Sequence, residues 1–175
     1  FGYGSAMKEN LAGIEDYTRI GSLLQPEQIV KYGELTLREN QIAYAEPSFF
    51  RLFDFELLKG DKKTCLSMPG QVVITERIAS KYFKDEDPIG KIFIFTGAYD
   101  KISCEVTGVM KEMPSNSHIH YSFLISYKSL PKYMQEYWYK HEAYTYVLLD
   151  SPERKAEIER EFPVMAEKYK TDEAL

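Results

Sequence analysis

The segment from residue 71 to residue 91 constrains the fold more than any other part of the sequence. Its first apolar run, Val72-Val73-Ile74, is β-branched throughout, which is typical of a strand that is covered on both faces. Thr75 follows the run and can act as the N-cap of a helix. That helix would bury one face, formed by Ile78, Ala79, Tyr82 and Phe83. The segment therefore predicts a strand and a capped helix packed into one unit.

Three adjacent carboxylates at residues 85–87 raise the question of a cation site. Calcium needs about six or more oxygen ligands, and loops that supply them interleave acids with spacers and a glycine. Here the acids are contiguous and run directly into Pro88 and Gly90, with Lys84 and Lys91 on either side. Asp, Pro and Gly are favoured at the first, second and fourth positions of a type I turn. We therefore interpret the acidic row as part of a turn that starts at Asp87.

Composition excludes several classes of protein. The 175 residues suit one domain, and the 44% hydrophobic share, with 14 Tyr and 10 Phe, can form a packed core. A net charge of −5 argues against a nucleic-acid partner, because such proteins cluster Lys and Arg. No apolar run approaches the roughly 20 residues of a membrane-spanning helix, and no signal peptide is visible. The start without Met suggests a fragment of a longer protein.

Strands and helices are mixed along the chain without strict alternation, which predicts an α+β fold. Strands are predicted at residues 17–24, 28–37, 41–45, 55–58, 91–95, 102–110, 121–126 and 144–149. Helices are predicted at 5–14, with Ser5 as N-cap, at 47–53, and from Pro152 onward, with a kink or restart at Pro163. Residues 28–45 are interpreted as a hairpin that turns at Arg38-Glu39-Asn40.

The motifs of nucleophilic and nucleotide chemistry are missing. There is no G-x-S-x-G motif, and the Gly-x-Gly of Gly2 and Gly4 lacks a third glycine, a P-loop lysine and a preceding strand. Cys65 and Cys104 have no metal-ligand spacing between them, and we interpret them as two buried free thiols. A disulfide between them stays open, since an oxidising compartment would allow one.

His118 and His120 lie two residues apart, a spacing that places both imidazoles on one face of an extended chain and can chelate zinc. His141-Glu142 could add ligands. Because only the pair is local, two surface histidines at the start of a strand are the favoured interpretation. A metal-dependent hydrolase is the weaker alternative.

An aromatic group in a polar segment is the one candidate contact surface. Its members are Tyr133, Tyr137, Trp138 and Tyr139. Aromatic side chains are as common in cores as in binding sites, so the group predicts either packing or an exposed surface for a partner. If a pocket lay beside Trp138, the chain would instead be a ligand-binding sensor domain.

Four sequence blocks occur together in order. They are AEPSFFRLFDFELLKGD (45–61), QVVITERIASKYFKDEDPIGK (71–91), VTGVMKEMPSNSHIHYSFLIS (106–126) and AYTYVLL (143–149). With them the chain resembles the MacB-like periplasmic core domain of FtsX-type ABC transporter permeases, the Bacteroidetes-type branch in particular. The resemblance runs from about Leu11 to Tyr169. It implies a mixed-sheet, porter-like α/β subdomain (about 1–25 and 112–175) with an inserted β-rich subdomain (about 26–111). The family fold begins with a strand after the first membrane helix, and we expect that strand to be missing before Ser5.

The resemblance also implies a location and a function. In the family this domain lies between the first two transmembrane helices of an inner-membrane permease, on the periplasmic side of a Gram-negative cell. The permease dimerises and couples ATP hydrolysis to movement of the periplasmic domains, a process called mechanotransmission. It serves export of antibiotics, peptides or toxins, lipoprotein release, or activation of a cell-wall hydrolase.

Partners and cofactors follow from the same resemblance. The implied partners are the cognate ABC ATPase, reached through the membrane part, a second permease copy, and a periplasmic adaptor or substrate protein. ATP binds to the separate ATPase, so we expect neither a cofactor nor catalysis in this domain. The isolated domain is predicted to be a monomer or a weak dimer.

Overall fold

The computed structural model describes residues 2–21, 27–97, 101–135 and 143–171. In these ranges the chain forms one large mixed sheet with few helices, which confirms the α+β class. The strands are β1 (Ile14–Gly21), β2 (Glu27–Tyr32), β3 (Leu35–Asn40), β4 (Ile42–Ala45), β5 (Leu57–Lys59), β6 (Gln71–Thr75), β7 (Ile92–Thr96), β8 (Lys101–Met110), β9 (Phe123–Ser126) and β10 (Tyr144–Leu149). The helices are α1 (Tyr3–Asn10), α2 (Phe49–Leu52), α3 (Glu76–Phe83), α4 (Lys132–Gln135) and α5 (Arg154–Thr171), with a 3₁₀ turn at Tyr127–Ser129.

The order of strands in the sheet is β10-β1-β4-β9-β6-β8-β7-β2-β3, with β5 paired to β8. The pairs β4–β9 and β6–β8 are parallel, and the other pairs are antiparallel. β6 occupies the centre, where its Val72, Val73 and Ile74 are 0% exposed. A run of β-branched apolar residues suits this position because both faces of the strand are covered.

Each face of the sheet has its own core. Along β6 the side chains alternate, so Val72 and Ile74 face the α3 side and Val73 faces the α2 side. The α3 side is filled by an aromatic cluster around Phe93. The centre of its ring lies 4.9 Å from the ring centre of Tyr82 and 5.8 Å from that of Phe123. A third apolar cluster joins α1 and α5 beside β1 and β10. The helices therefore cover the sheet mainly near its centre and at the β10 end.

The predicted turn of the first hairpin is wrong. β2 and β3 pair from Glu27 with Asn40 to Tyr32 with Leu35, which leaves only Gly33 and Glu34 in the turn. Gly33 has φ +55°, and a glycine in this first position is a feature of a type II′ hairpin. The polar residues at 38–40 belong to β3, because a strand at the end of a sheet can expose one face and one edge to water.

Two helix boundaries also differ from the sequence-based expectation. α1 begins at Tyr3, so Ser5 lies inside the helix and its Oγ donates to the Gly2 carbonyl at 3.1 Å instead of capping. α5 is assigned continuously from Arg154 to Thr171 and does not restart at Pro163, which lies on its exposed side.

The predicted division into two subdomains at about residues 26 and 112 stays a prediction. One sheet runs through both parts: β4, from the proposed insert, lies between β1 and β9 of the proposed porter-like part. β6 likewise pairs with β9 on one side and with β8 on the other. The strands farthest from β1 are β7, β2 and β3, all within the proposed insert.

Candidate functional site

The segment 71–91 forms the unit that its sequence predicts. Thr75 accepts a hydrogen bond on Oγ1 from the backbone N–H of Ile78, with N and O 3.4 Å apart, which confirms it as the N-cap of α3. The helix then buries Ile78, Tyr82 and Phe83 against the sheet. These residues stabilise the fold, because their side chains are buried in the core and are not accessible to a ligand.

The acidic row at 85–87 is exposed, and two of its three carboxylates are paired with lysines. Glu86 accepts from Lys91 at 2.9 Å and Asp87 accepts from Lys59 at 3.0 Å. Hydrogen bonds from these lysines lower the pKa of both carboxyl groups. Among the described residues, no group of three or more His, Cys, Asp or Glu side chains is arranged to hold a metal ion.

The turn after the acidic row is shifted by one residue from the prediction. The backbone N–H of Lys91 donates to the Pro88 carbonyl at 3.1 Å, so the turn spans residues 88–91. Gly90 is its third residue and has φ +78°, the conformation that a type II turn requires there. Asp87 lies just outside and accepts on Oδ1 from the backbone N–H two residues on, at 3.2 Å.

The two predicted surface histidines are exposed, in a loop before β9. His118 Nε2 lies 2.8 Å from the phenol oxygen of Tyr146 on β10, and the two ring centres are 5.7 Å apart. Neither His118 nor His120 belongs to a cluster of three or more potential metal ligands within the described ranges. His141 and Glu142, the predicted additional ligands, lie outside the described residues.

Cys65 and Cys104 are free and buried, as the sequence predicts. Cys65 packs on the α2 side of the sheet and Cys104 on the α3 side, so they belong to different cores. Burial raises the pKa of each thiol to about 12. A thiol with such a pKa stays protonated at neutral pH and is a poor nucleophile or metal ligand.

Gly4, in the Gly-x-Gly of the N-terminus, has a packing role. A Cβ placed on it would lie 2.3 Å from Cδ2 of Tyr17, because α1 rests directly on the ring of that β1 residue. The close approach of helix and strand accounts for the small residue without any bound phosphate.

The predicted aromatic contact surface is described only in part. Tyr133 on α4 is 71% exposed, so its ring is available to a partner. Tyr137, Trp138 and Tyr139 lie outside the described residues, and their role as a contact surface stays a prediction. The alternative of a ligand-binding sensor with a pocket beside Trp138 is untested for the same reason.

A buried arginine that the sequence analysis missed donates a hydrogen bond to the last residue of α4. Arg19 on β1 donates from Nε to Glu46 Oε1 at 2.7 Å and from Nη1 to the Gln135 carbonyl at 2.6 Å. Its guanidinium carbon lies 4.2 Å from the centre of the Tyr127 ring, within the range of a cation–π contact. Burial raises the pKa of Tyr127, so the phenol stays neutral beside the cation.

This network fixes where the aromatic segment starts. Arg19 joins β1, the residue after β4, the 3₁₀ turn and the last residue of α4. Gln135 also donates through Nε2 to the Leu130 carbonyl at 2.6 Å. The one available sequence signal was an arginine in a predicted strand, between Thr18 and Ile20. A buried arginine in such a strand needs acceptors.

Solved structures with the same fold come from bacterial transport proteins. A domain of a protein described as a permease from Porphyromonas gingivalis is 23% identical, with a TM-score of 0.79, covering 95% of this chain and 69% of that one. The periplasmic region of MacB from Actinobacillus actinomycetemcomitans is 16% identical, with a TM-score of 0.63, covering 95% and 72%. The extracellular domain of the ABC-type transporter YknZ from Gram-positive bacteria is 14% identical, with a TM-score of 0.59, covering 88% and 76%.

Sequence comparison gives the family directly. No curated protein matches the chain significantly. The sequence pattern of the MacB-like periplasmic core domain matches residues 3–163, nearly the whole chain. In the described ranges, no helix is both long and apolar enough to cross a membrane. The chain therefore belongs to the family of MacB-like periplasmic core domains.

Proposed function

We propose that this MacB-like periplasmic domain of an ABC transporter permease passes an ATP-driven conformational change from the membrane to the periplasm. The ATP is bound and hydrolysed by a separate cytoplasmic ATPase, and two permease copies work together. The movement serves export of an antibiotic, a peptide or a lipoprotein-type substrate, or acts on a partner protein. The domain itself is non-catalytic and acts through its surfaces.

The observation that carries the proposal is the position of the two terminal helices. α1 and α5 pack together beside β1 and β10, with the rings of Tyr3 and Phe162 centred 5.8 Å apart. Asn10 Nδ2 donates to the phenol oxygen of Tyr169 at 2.9 Å. In the proposed permease, the membrane part would be reached through the segment before α1, which includes the strand that the family resemblance implies, and through the segment after α5. A movement of the membrane part then reaches the domain at one place, the β10 end of the sheet.

The sheet can carry that movement outward as a rigid body. Nine strands are hydrogen-bonded in sequence from β10 to β3, and both faces of its centre are packed. At about 4.8 Å between neighbouring strands, the path is roughly 40 Å long. Close-packed cores resist deformation, so a rotation at β10 displaces the β2–β3 hairpin at the far end. We propose that this hairpin belongs to an inserted subdomain that meets partners.

The aromatic segment that begins at Tyr133 is the second proposed contact. Gln135, in this segment, is connected to β1 because Arg19 donates a hydrogen bond to its carbonyl. β1 is also the strand on which α1 rests. A shift of the terminal helices would therefore reach Tyr133 without passing through the rest of the sheet.

Distance measurements in the full-length permease, reconstituted with its ATPase, test the proposal. Spin labels on Glu34→Cys, in the hairpin turn, and Glu161→Cys, on the exposed side of α5, mark the two ends of the domain. The buried thiols of Cys65 and Cys104 should leave labelling selective. We expect the distance from 34 to 161 within one copy to be the same in the nucleotide-free and ATP-trapped states. The distance between the two Glu34→Cys labels of a dimer should change.

An ATPase-inactive partner protein is the control and should give one distance between copies in all conditions. A change within the domain would mean that it deforms instead of moving as a body. Full transport with unchanged distances between copies would reject the coupling role altogether.

A further inference from the structure

A cavity beside α2 combines cationic and apolar side chains. It has a volume of about 420 Å³ and lies between β1, the residues at the start of α2 and the loop after β5. This volume is within the range of about 300–1,000 Å³ that is typical of pockets for small organic ligands. Its lining includes Asp16, Pro47, Phe50, Arg51, Lys62 and Lys63. None of the residues that line it lies on β10.

Asp16, the carboxylate of the lining, holds an arginine at the cavity. The residue is buried, and its two oxygens have different partners. Oδ1 accepts from Lys8 Nζ at 3.0 Å, and Oδ2 pairs with Nη2 of Arg51. The negative charge of Asp16 is therefore compensated. The Arg51 side chain is 61% exposed, and because a guanidinium has five N–H donors, it keeps donors for a second acceptor.

A turn after β5 brings two adjacent lysines to the cavity. The Asp61 carbonyl accepts from the backbone N–H of Cys65 at 2.9 Å, and Cys65 is buried, so the turn is anchored to the core. Lys62 Nζ lies 3.5 Å from Oδ1 of Asp54, a fully exposed carboxylate, and such a pair contributes little. Among the described residues, no acidic side chain forms an ion pair with Lys63. Both ammonium groups are therefore available to a ligand.

The charge around the cavity favours a ligand with a single negative charge. The charged groups that line it or bond to its lining are the cations Lys8, Arg51, Lys62 and Lys63 and the acids Asp16, Asp54 and Asp61. One positive charge is in excess, in a protein whose net charge is −5. A carboxylate would neutralise it, whereas a phosphate, with a charge of about −1.5 to −2 at neutral pH, would exceed it.

The apolar part of the lining indicates what the carboxylate is attached to. Pro47 and Phe50 line the cavity, and most of the surface that it exposes is apolar. Ligand pockets usually combine such apolar surface with a few polar groups that fix the orientation of the ligand. A ligand with an apolar group next to its charge would therefore use both parts of the cavity.

We propose that this cavity binds an organic carboxylate with an adjacent apolar group, either a free small molecule or the C-terminal residue of a peptide. Arg51 binds the carboxylate through its planar set of donors. Lys62 and Lys63 add positive charge without imposing a fixed geometry. The apolar group packs against Pro47 and Phe50. This site does not depend on the proposed coupling role.

NMR titration of the 175-residue chain tests the proposal. The first probe is N-acetylphenylalanine, which has a carboxylate beside an aromatic ring, and its matched control is the neutral N-acetylphenylalanine amide. We expect the acid to shift the backbone amide signals of residues 48–51 and 61–64 and the Nε–H signal of Arg51. The amide should leave these signals unchanged, and inorganic phosphate should bind more weakly than the acid.

A second pair of probes distinguishes the two sources of the carboxylate. It consists of acetyl-Gly-Gly-Phe with a free C-terminus and the same peptide with a C-terminal amide. Tighter binding of the free peptide than of N-acetylphenylalanine would support a peptide C-terminus as the ligand. Equal or weaker binding would support a free small acid.

Matched variants locate the site. Arg51→Gln should weaken binding of the acid about ten-fold or more, because a charge-assisted hydrogen bond is lost. Lys62→Gln/Lys63→Gln should also weaken it and leaves the pair of Asp16 and Arg51 intact. Arg38→Gln, at an exposed arginine on β3, is the control and should bind as the wild type does.

Several results would overturn the proposal. They are an absence of shifts with both acids, equal shifts with acid and amide, binding of phosphate as tight as that of the acid, or unchanged binding in both Arg51→Gln and Lys62→Gln/Lys63→Gln. An equal loss of binding in Arg38→Gln would also overturn it, because the acid would then respond only to the overall charge of the protein.

Discussion

Arg19 and Glu46 form an ion pair whose side chains are only 9% and 13% exposed. The backbone joins the same two residues, since the Glu46 N–H donates to the Arg19 carbonyl at 3.2 Å. Removing two charges from water is costly, and their attraction offsets the cost only while both partners are present. The pair therefore links β1 to the residue that follows β4, and Arg19 extends this link to the Gln135 carbonyl at the start of the aromatic segment.

Removing one partner of this pair should be strongly destabilising. Arg19→Met leaves the Glu46 carboxylate buried without its partner, and we expect a loss of about 3–5 kcal/mol in the free energy of unfolding. The double variant Arg19→Met/Glu46→Gln should lose less than the sum of the two single variants. Urea unfolding of the four proteins measures both quantities.

The exposed pair of Arg38 and Glu27 is the matched control, with side chains 70% and 51% exposed. Arg38→Met should cost no more than about 1 kcal/mol. Equal losses for Arg19→Met and Arg38→Met would show that burial of the first pair has no energetic consequence.

Two glycines with similar backbone conformation should respond differently to alanine. Gly90 has φ +78° and no atom within 4 Å of the position that a Cβ would take, so Gly90→Ala carries only the left-handed conformational cost of about 1–2 kcal/mol. Gly60 has φ +96°, and its Cβ would lie 2.4 Å from the Thr107 carbonyl oxygen. That contact is with backbone and cannot be relieved by a rotamer change.

We therefore expect Gly60→Ala to lower the free energy of unfolding clearly more than Gly90→Ala. Gly33→Ala is the control, because Gly33 also has positive φ and open space around it. Thermal or urea unfolding of the three variants checks the order. If Gly60→Ala behaves like Gly33→Ala, β5 does not approach β8 as closely as described.

Local signals were sufficient for part of this fold. The strand and capped helix at 71–83 and the strands at 91–95 and 102–110 follow from contiguous residues, and all are observed, the last two paired as β7 and β8. The first hairpin was misread because the polar residues 38–40 look like a turn, whereas the short turn at Gly33 has little sequence signal. Charged residues are tolerated in β3 because it ends the sheet.

The candidate sites depend on contacts that no local pattern encodes. Arg19 and Gln135 are 116 residues apart, and His118 meets Tyr146 across 28 residues. The position of β4 between β1 and β9 likewise depends on the whole chain. Sequence patterns predict which residues are buried, but they do not specify which distant strand a residue will face.

The acidic row should behave as ordinary surface. In Glu86→Gln/Asp87→Asn, two lysine contacts are lost, but all the charges involved are well exposed to water. We expect the urea midpoint to change little at neutral pH. Because the lysines lower the pKa of both carboxyl groups, any contribution of the pairs is present at neutral pH and is lost as the pH falls through those values.

Calcium and magnesium titrations complete this test. Millimolar additions of either ion should leave the melting temperature of the wild type and of the variant unchanged. A calcium-dependent rise that is present only in the wild type would show that residues 85–87 do bind a cation.

The two buried thiols should make stability depend on pH in the alkaline range. Their pKa values rise from the usual 9.0 to about 12 in the folded protein. About one pH unit or more below 9.0 the thiols keep their protons in both states, and their contribution is fully present. Above that pH the unfolded chain alone loses protons, so stability falls by up to about 1.4 kcal/mol per pH unit for each thiol.

Urea unfolding at several pH values between about 8 and 9.5 measures this slope before the tyrosines, which ionise near pH 10 in the unfolded chain, contribute most of it. Cys65→Ala and Cys104→Ala should each reduce the change of unfolding free energy with pH, and the double variant should remove most of it. This holds whatever the substitutions do to stability at neutral pH. Reaction with a thiol reagent at pH 8 gives an independent readout: the native protein should react slowly and the protein in urea rapidly. Rapid labelling of the native protein, or a double variant whose slope equals that of the wild type, would show that the thiols are not held protonated by burial.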